Sequence, residues 1–258
     1  VRSGFPGIRG LADRGRRAQL RGYVDRVIDR DFPEFGRNLR RPDALRRWMG
    51  SYAAATATTA SFETIRDAST GGQGDKPGKI ATIAYRDILE RLFILDPLPG
   101  WQPSHNHIAQ LGLAPKHHLA DPALATSLLG MREETLLDAG DPRALTSSGE
   151  PLLGNLFESL VALSVRVYAQ QHEARVSHLR THRGLHEVDL IVERADGAVL
   201  AIEVKLAADV EGDTFPHLKW LGAQMGNRLL DSVVVTTGTD AFRRKDGIAV
   251  VPAALLGP

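Results

Sequence analysis

The sequence contains no cysteine. That excludes disulfides and thiolate metal sites, and it fits the cytoplasm, where the protein is expected to reside. No run of about 18 apolar residues occurs, so no membrane span is expected. No signal-peptide pattern opens the chain either. Internal repeats and low-complexity tracts are absent, which excludes solenoid and linker-like architectures. Net charge is nearly absent too, at +1.

That balance hides an asymmetry. Residues 1–50 hold thirteen arginines against six acids. Such a surplus suits a nucleic-acid or acidic partner surface, or simply a solvated helical face. The hydrophobic fraction of 43% and charged fraction of 24% are ordinary for a globular protein. At 258 residues the chain has room for two domains or one large one. It begins at Val1 rather than Met, and VRSGFPGIRG reads as the start of a fragment.

Apolar periodicity predicts an amphipathic helix over 11–31, with Leu20, Val24, Val27 and Ile28 on one face. Further helices are expected over 42–57, opened by Pro42-Asp43, and over 61–69. GGQGDKPG (71–78) is a loop by composition. KIATIAYRDILERLFIL (79–95) is a helix with Ile80, Ala84, Ile88 and Leu92 on one face and Lys79, Thr82, Arg86 and Glu90 on another. Short helix, loop, longer helix is a helix-turn-helix order. The prolines that follow and LAPKHHLADP (113–122) are expected to form the two-stranded wing of a winged helix. After a short helix at 122–130, residues 138–151 read as a linker and 152–170 as a long helix. Strands are expected at 174–181, 187–194 and 198–206, then a helix at 214–229 and strands at 232–237 and 248–252.

The chemistry concentrates in EVDLIVERADGAVLAIEVK, residues 187–205. Two apolar strands joined by an Asp-Gly turn carry Asp189 on one strand and Glu203 and Lys205 on the other. Burying such groups is costly unless they bind something. Glu203 and Lys205 share a face, because side chains alternate along a strand. If the strands pair, Asp189 and Glu203 can converge on one cation. Mg²⁺ suits a few carboxylate oxygens completed by water and phosphate oxygens. Such a metal lowers the pKa of a bound water, and Lys205 would orient that water or stabilise the transition state. A further carboxylate is expected on the preceding helix, where Glu158 lies among Leu156, Phe157, Leu160 and Val161. The bland alternative is a strand pair with solvated edge acids. The apolar neighbours Leu200, Ala201, Ile202 and Val204 argue against it.

Glu158, Asp189 and Glu203-Val204-Lys205 resemble the PD-(D/E)xK nuclease superfamily, whose fold has the same helix, three strands, helix, strand order. Two departures stand out. Val188 occupies the position of the superfamily's proline, and the usual Gln or Lys of the following helix has two candidates, Lys219 and Gln224. More widely, GFPGI, YVDRVIDRDF (23–32), IAYRDILERLFIL, APKHHLADPALATSLLG (114–130), GNLFESLV (154–161), HEVDLIVE and AIEVK resemble the C-terminal region of prokaryotic AAA-type ATPases that carry a domain of unknown function. The resemblance covers nearly the whole chain. It implies a winged-helix part, a nuclease-like part, and an upstream ATPase module that would hold ATP.

Other signals are weaker. GGQGDKPGKI lacks the first Gly and the Ser/Thr of a phosphate-binding loop, holding Gln73 and Ile80 there. Lys79, Thr82 and Arg86 suit contact with DNA phosphates, and packing of the helix against protein is the competing reading. Arg180 and Arg183 flank the turn before the first acidic strand and suit a phosphate backbone or an ordinary strand edge. His105, His107, His117 and His118 lack a third ligand spaced for zinc, so packing or solvated histidines are expected. His182 and His186 precede Asp189 and suit assistance at a metal site or, given their loop position, simple exposure.

The expected architecture is therefore a helical connector (1–45), an α+β winged-helix domain (46–145) and a PD-(D/E)xK-like α/β domain (146–258). The expected function is Mg²⁺-dependent phosphodiester cleavage or binding on DNA within a larger ATPase. Glu158, Asp189 and Glu203 would hold the metal, and Lys205, Glu203 and Asp189 would carry catalysis. A non-catalytic DNA- or protein-binding module that regulates the ATPase is the alternative, and a homo-oligomeric scaffold is a third reading. Fold alone does not decide among them.

Overall fold

The computed structural model describes residues 2–35, 41–70, 76–103, 112–138, 141–146, 149 and 151–257. The chain divides into two compact units: Val1–Pro97 with His117–Ser159, and Leu98–Lys116 with Leu160–Pro258. Residues 98–116, expected within the winged-helix stretch, thus belong with the second unit.

The described elements of the first unit are helical. Besides short turns at Phe32–Glu34 and Pro142–Ala144, they include α1 (Pro6–Arg9), α2 (Asp13–Arg26, extended by a wider turn over Val27–Asp31), α3 (Pro42–Ala54), α4 (Phe62–Ala68), α5 (Lys79–Arg91), α6 (Pro122–Leu128) and α7 (Glu133–Leu137). In α3 the buried residues Leu45, Trp48, Met49 and Tyr52 recur at helical spacing. They pack with Phe32, Tyr85, Leu89 and Leu124 in one apolar cluster. Proline stands at the first turn of α3 and α6, where no N–H partner is needed. Ser61 caps α4 by accepting from the Thr64 N–H, and Asp121 caps α6 by accepting from Ala123. The second Asp121 oxygen accepts from Ser3 Oγ at 2.6 Å and from the Gly4 N–H at 2.8 Å, which ties down the N-terminal segment.

The α5 face is rotated from the expected one. Ala84, Tyr85, Ile88 and Leu89 are buried, while Ile80 is 79% exposed. The two segments expected to form a wing meet at isolated antiparallel bridges, Leu95↔Leu119 and Leu98↔Lys116. Beyond the second bridge the chain supplies a strand, β1 (Gly100–Trp101), that pairs parallel with β2 (Arg175–Arg180) of the second unit.

The second unit is built on one mixed sheet in the order β1-β2-β3-β4-β5-β7-β6. Its further strands are β3 (Glu187–Glu193), β4 (Val199–Val204), β5 (Leu229–Thr236), β6 (Phe242–Arg243) and β7 (Ala249–Pro252). β2, β3 and β4 form an antiparallel meander, while β4, β5 and β7 run parallel. Parallel neighbours need a crossover, and helix α9 (Pro216–Met225) supplies the one between β4 and β5. Leu190 and Ile191 on β3 are both fully buried although they point to opposite faces, so the central sheet is covered on both sides. Leu179, Val188, Val199, Ala201, Leu218, Leu221 and Val234 form this unit's apolar core.

The long helix α8 (Leu152–Gln171) runs through the boundary of the two units. Its length and apolar window, mean hydropathy 1.3, would suffice for a membrane span, although polar residues interrupt it. Leu152, Leu156, Val161, Ala162, Val165 and Ala169 on this helix are buried in protein.

Candidate functional site

The site forms where two strands part. β3 and β4 pair from Glu193↔Val199 to Leu190↔Ile202. One step further the Val204 N–H donates to the Asp189 side chain, Oδ2, at 2.9 Å. A carboxylate thus takes the place of a backbone acceptor, and the strands separate around it. On its other side β4 stays in register with β5 through Glu203↔Val234 and Val204↔Val235, and the Lys205 N–H donates to the Val235 carbonyl at 2.8 Å. Glu203 and Lys205 are therefore fixed by the sheet.

The charges respond to burial. Lys205 Nζ lies 2.9 Å from Glu203 Oε1, and the Glu203 side chain is only 13% exposed. Glu203 Oε2 is buried without a hydrogen-bond partner. Desolvation, reinforced by the Asp189 carboxylate, pushes the Glu203 carboxyl up from 4.5 to about 7, against the pull of Lys205. For Lys205 burial disfavours the ammonium, but Glu203 and Asp189 more than offset this and its pKa is raised.

A further cation was not foreseen from the sequence. Lys116 is 1% exposed, and its Nζ lies 3.2 Å from Asp189 Oδ1 and 3.5 Å from Glu187 Oε1. Glu187 Oε2 in turn accepts from Arg180 Nη1 at 2.8 Å. The order Arg180, Glu187, Lys116, Asp189 alternates in sign, and Glu203, paired with Lys205, then breaks it by setting a second acid beside Asp189. The backbone of Lys116 is held by a reciprocal pair of hydrogen bonds with Leu98, 2.9 and 2.8 Å. Nearby, His178 Nε2 donates to the Ala114 carbonyl at 3.0 Å, since a carbonyl only accepts. Burial and the Lys116 charge lower the His178 pKa to about 4, so the ring is neutral. Only the Leu98↔Lys116 bridge together with the pairing of β1 with β2 could have exposed Lys116 as a site residue. No local pattern signals it.

Of the expected ligands, Asp189 and Glu203 are brought together with Lys205. Glu158 is half-buried on the stretch of α8 that belongs to the first unit. Among the described residues, no group of three His, Asp or Glu side chains is arranged as a metal site. Lys219 pairs with Asp246 at 3.2 Å, and Gln224 is exposed. His186 stacks on Trp220 with ring centroids 4.1 Å apart, and its Nδ1 lies 3.4 Å from His217 Nδ1.

The α5 candidates are engaged with neighbours in their own unit. Lys79 Nζ lies 2.8 Å from Glu63 Oε1, and Thr82 Oγ1 donates to the Lys79 carbonyl. Arg86 is 3.4 Å from Asp87 and 3.8 Å from Glu90, and its guanidinium lies over the Phe62 ring. His117 is buried against the Tyr52 and Phe62 rings with Nε2 2.7 Å from the Ala60 carbonyl, a packing role. His105, His107 and most of the loop at 71–78 lie outside the described residues.

The sheet and its crossover helix make the second unit an α/β domain. Residues 153–256 match the family model of a domain of unknown function, DUF4143, which is found at the C-termini of AAA ATPase-like proteins. Residues 1–135, just over half of the chain, match a second domain of unknown function, DUF8612, and the chain belongs to that family. No curated protein and no solved structure matches the chain.

Proposed function

We propose that the chain is the C-terminal part of an AAA-type ATPase, and that its second unit is a PD-(D/E)xK-like domain acting on the phosphodiester backbone of DNA. The observation that carries this reading is the buried Glu203 Oε2 without a partner, beside Asp189 and Lys205 at the parting of β3 and β4. A buried carboxylate pushed up to about 7 by burial and by a second acid is short of positive charge. A divalent cation such as Mg²⁺ would supply it.

The two acids fit such an ion as a two-carboxylate site, which water and phosphate oxygens would complete. Asp189 and Glu203 would hold it. When bound, the metal would make a water acidic and draw charge from the phosphate. Lys205, 42% exposed, reaches solvent beside the two acids, and its ammonium would meet a phosphate oxygen. Lys79, Thr82, Arg86 and Arg180 are the candidate phosphate contacts. The acids Glu63, Asp87 and Glu187 beside them mix the local charge and favour modest affinity.

One observation favours a second reading, a non-catalytic module that regulates or targets its ATPase. Asp189 already carries the Lys116 ammonium. A plasmid-nicking assay with Mg²⁺ or Mn²⁺ separates the two. Cleavage by the wild type that is lost in Asp189→Ala and Lys205→Ala supports the enzyme. No cleavage on supercoiled, linear or single-stranded DNA with either metal would leave the binding module.

A further inference from the structure

Lys116 is the most deeply buried charge at the site and comes from a segment with no acidic-strand pattern of its own. A lysine at 1% exposure has lost its hydration, so it needs its carboxylate neighbours. Nor does its position depend on the side chain alone. The reciprocal Leu98 hydrogen bonds fix its backbone, and β1 carries that segment into register with β2, Gly100↔His178 and Trp101↔Leu179. The ammonium is therefore built into the sheet edge.

Its effect falls on Asp189. Oδ1 faces the ammonium and Oδ2 takes the Val204 N–H. A divalent cation on the same carboxylate would sit close to a fixed positive charge in a poorly solvated setting, where repulsion is weakly screened. Glu187 shares Lys116 but is also neutralised by Arg180, so it offers the ammonium little alternative.

We propose that Lys116 is the resident counter-ion of Asp189 and competes with a divalent cation for it, so that a residue outside the two acidic strands sets the metal affinity of the site. This rests on the cation-binding reading given above. Lys116 is then a positioning residue: it holds Asp189 oriented and charge-compensated until a metal takes over. Removing its charge should tighten metal binding, an effect opposite to that of removing a merely structural side chain.

The test is a Mn²⁺ titration of the full chain, followed by the electron paramagnetic resonance signal of free Mn²⁺ and by calorimetry. Lys116→Met and Lys116→Gln should each bind Mn²⁺ about tenfold more tightly than the wild type, the scale expected for losing one nearby charge. Mn²⁺ should also raise the melting temperature of these variants more than that of the wild type. Lys116→Gln keeps a donor toward Asp189 and carries the comparison if the methionine variant fails to fold. Asp189→Asn should abolish the tightening. Equal affinity in wild type and both variants would overturn the competition while leaving the cation site intact. No Mn²⁺ binding by any folded variant would overturn the cation reading itself, and the competition with it.

Discussion

Lys205 Nζ lies 2.9 Å from one oxygen of Glu203, and the other Glu203 oxygen is buried without a partner. This half-satisfied carboxylate gives the second unit an unusual pH response. The Glu203 pKa is raised from 4.5 to about 7, so between those values the native state binds more protons than the unfolded one. Stability therefore falls as pH rises through that window. His178 works the other way. Its pKa drops from 6.5 to about 4, so the unfolded state binds more protons between those values and stability is lost as pH falls. The two slopes oppose each other. Urea unfolding of the wild type should be nearly flat between pH 5 and 6.5. In Glu203→Gln the opposing slope is gone and those of His178 and of His117, whose pKa burial also lowers, remain, so stability should rise by on the order of 1 to 2 kcal/mol or more from pH 4.5 to pH 7. A wild-type slope as steep as the variant's would count against the Glu203 shift.

Lys205→Met removes the cation that restrains Glu203. The Glu203 carboxyl should then titrate still higher, since only the weaker pull of Lys116 is left to oppose burial and Asp189. Carbon-13 detection of the Glu203 side chain across pH 5 to 9 measures this directly. An unchanged titration would mean that the ion pair with Lys205 is not formed in solution.

Asp189→Ala withdraws the acceptor of the Val204 N–H and the nearer partner of the Lys116 ammonium together. Breaking a buried pair by removing one member costs about 3 to 5 kcal/mol. Asp189→Asn keeps an acceptor oxygen for the amide and should cost less. Denaturant unfolding of the two variants gives the comparison, and equal stability of Asp189→Ala and wild type would show the contacts to be dispensable.

If α5 meets DNA, Lys79→Ala should weaken binding evenly across sequences and reduce the slope of log K against log salt by about one. Glu63→Gln frees Lys79 from its 2.8 Å ion pair and should strengthen binding. Fluorescence anisotropy with a labelled duplex at several salt concentrations reads both. Identical salt slopes for all three proteins would remove α5 from any DNA interface.

Much of the second unit was legible in the sequence because its strands are short, apolar and punctuated. The run expected at 187–194 forms at Glu187–Glu193, that at 198–206 forms at Val199–Val204, and α8 starts and ends within a residue of expectation. The neighbourhood of Asp189, Glu203 and Lys205 followed from pairing those two strands. Lys116 did not follow, because it meets Asp189 across 73 positions of sequence. The segment that holds it, LAPKHHLADP (113–122), read as part of a wing and not as part of the acidic site. On α5 the apolar ring of Tyr85 and Leu89 outweighed Ile80, which turned the buried face away from the one that aliphatic spacing suggested. β1 is two residues long, too short to leave a periodic signal, and only its pairing with β2 defines it.

Gly100 tests whether that pairing holds Lys116 in place. A Cβ at this position would meet Leu113 Cβ at 2.5 Å, and the Ala114 carbonyl at 3.4 Å. Both are backbone-proximal atoms, so the segment 113–116 has to retreat in Gly100→Ala. Overpacking of this kind costs about 1 to 3 kcal/mol. The displacement should also pull Lys116 from Asp189 and His178 from the Ala114 carbonyl. The variant is thus expected to lose stability and, unlike an overpacked site elsewhere in the core, to raise the His178 pKa, because the withdrawn Lys116 charge outweighs the lost Ala114 hydrogen bond. Proton NMR of the imidazole signals across pH 3 to 8 follows that titration. A destabilised Gly100→Ala whose His178 titrates as in the wild type would show that β1 supports the fold without positioning Lys116.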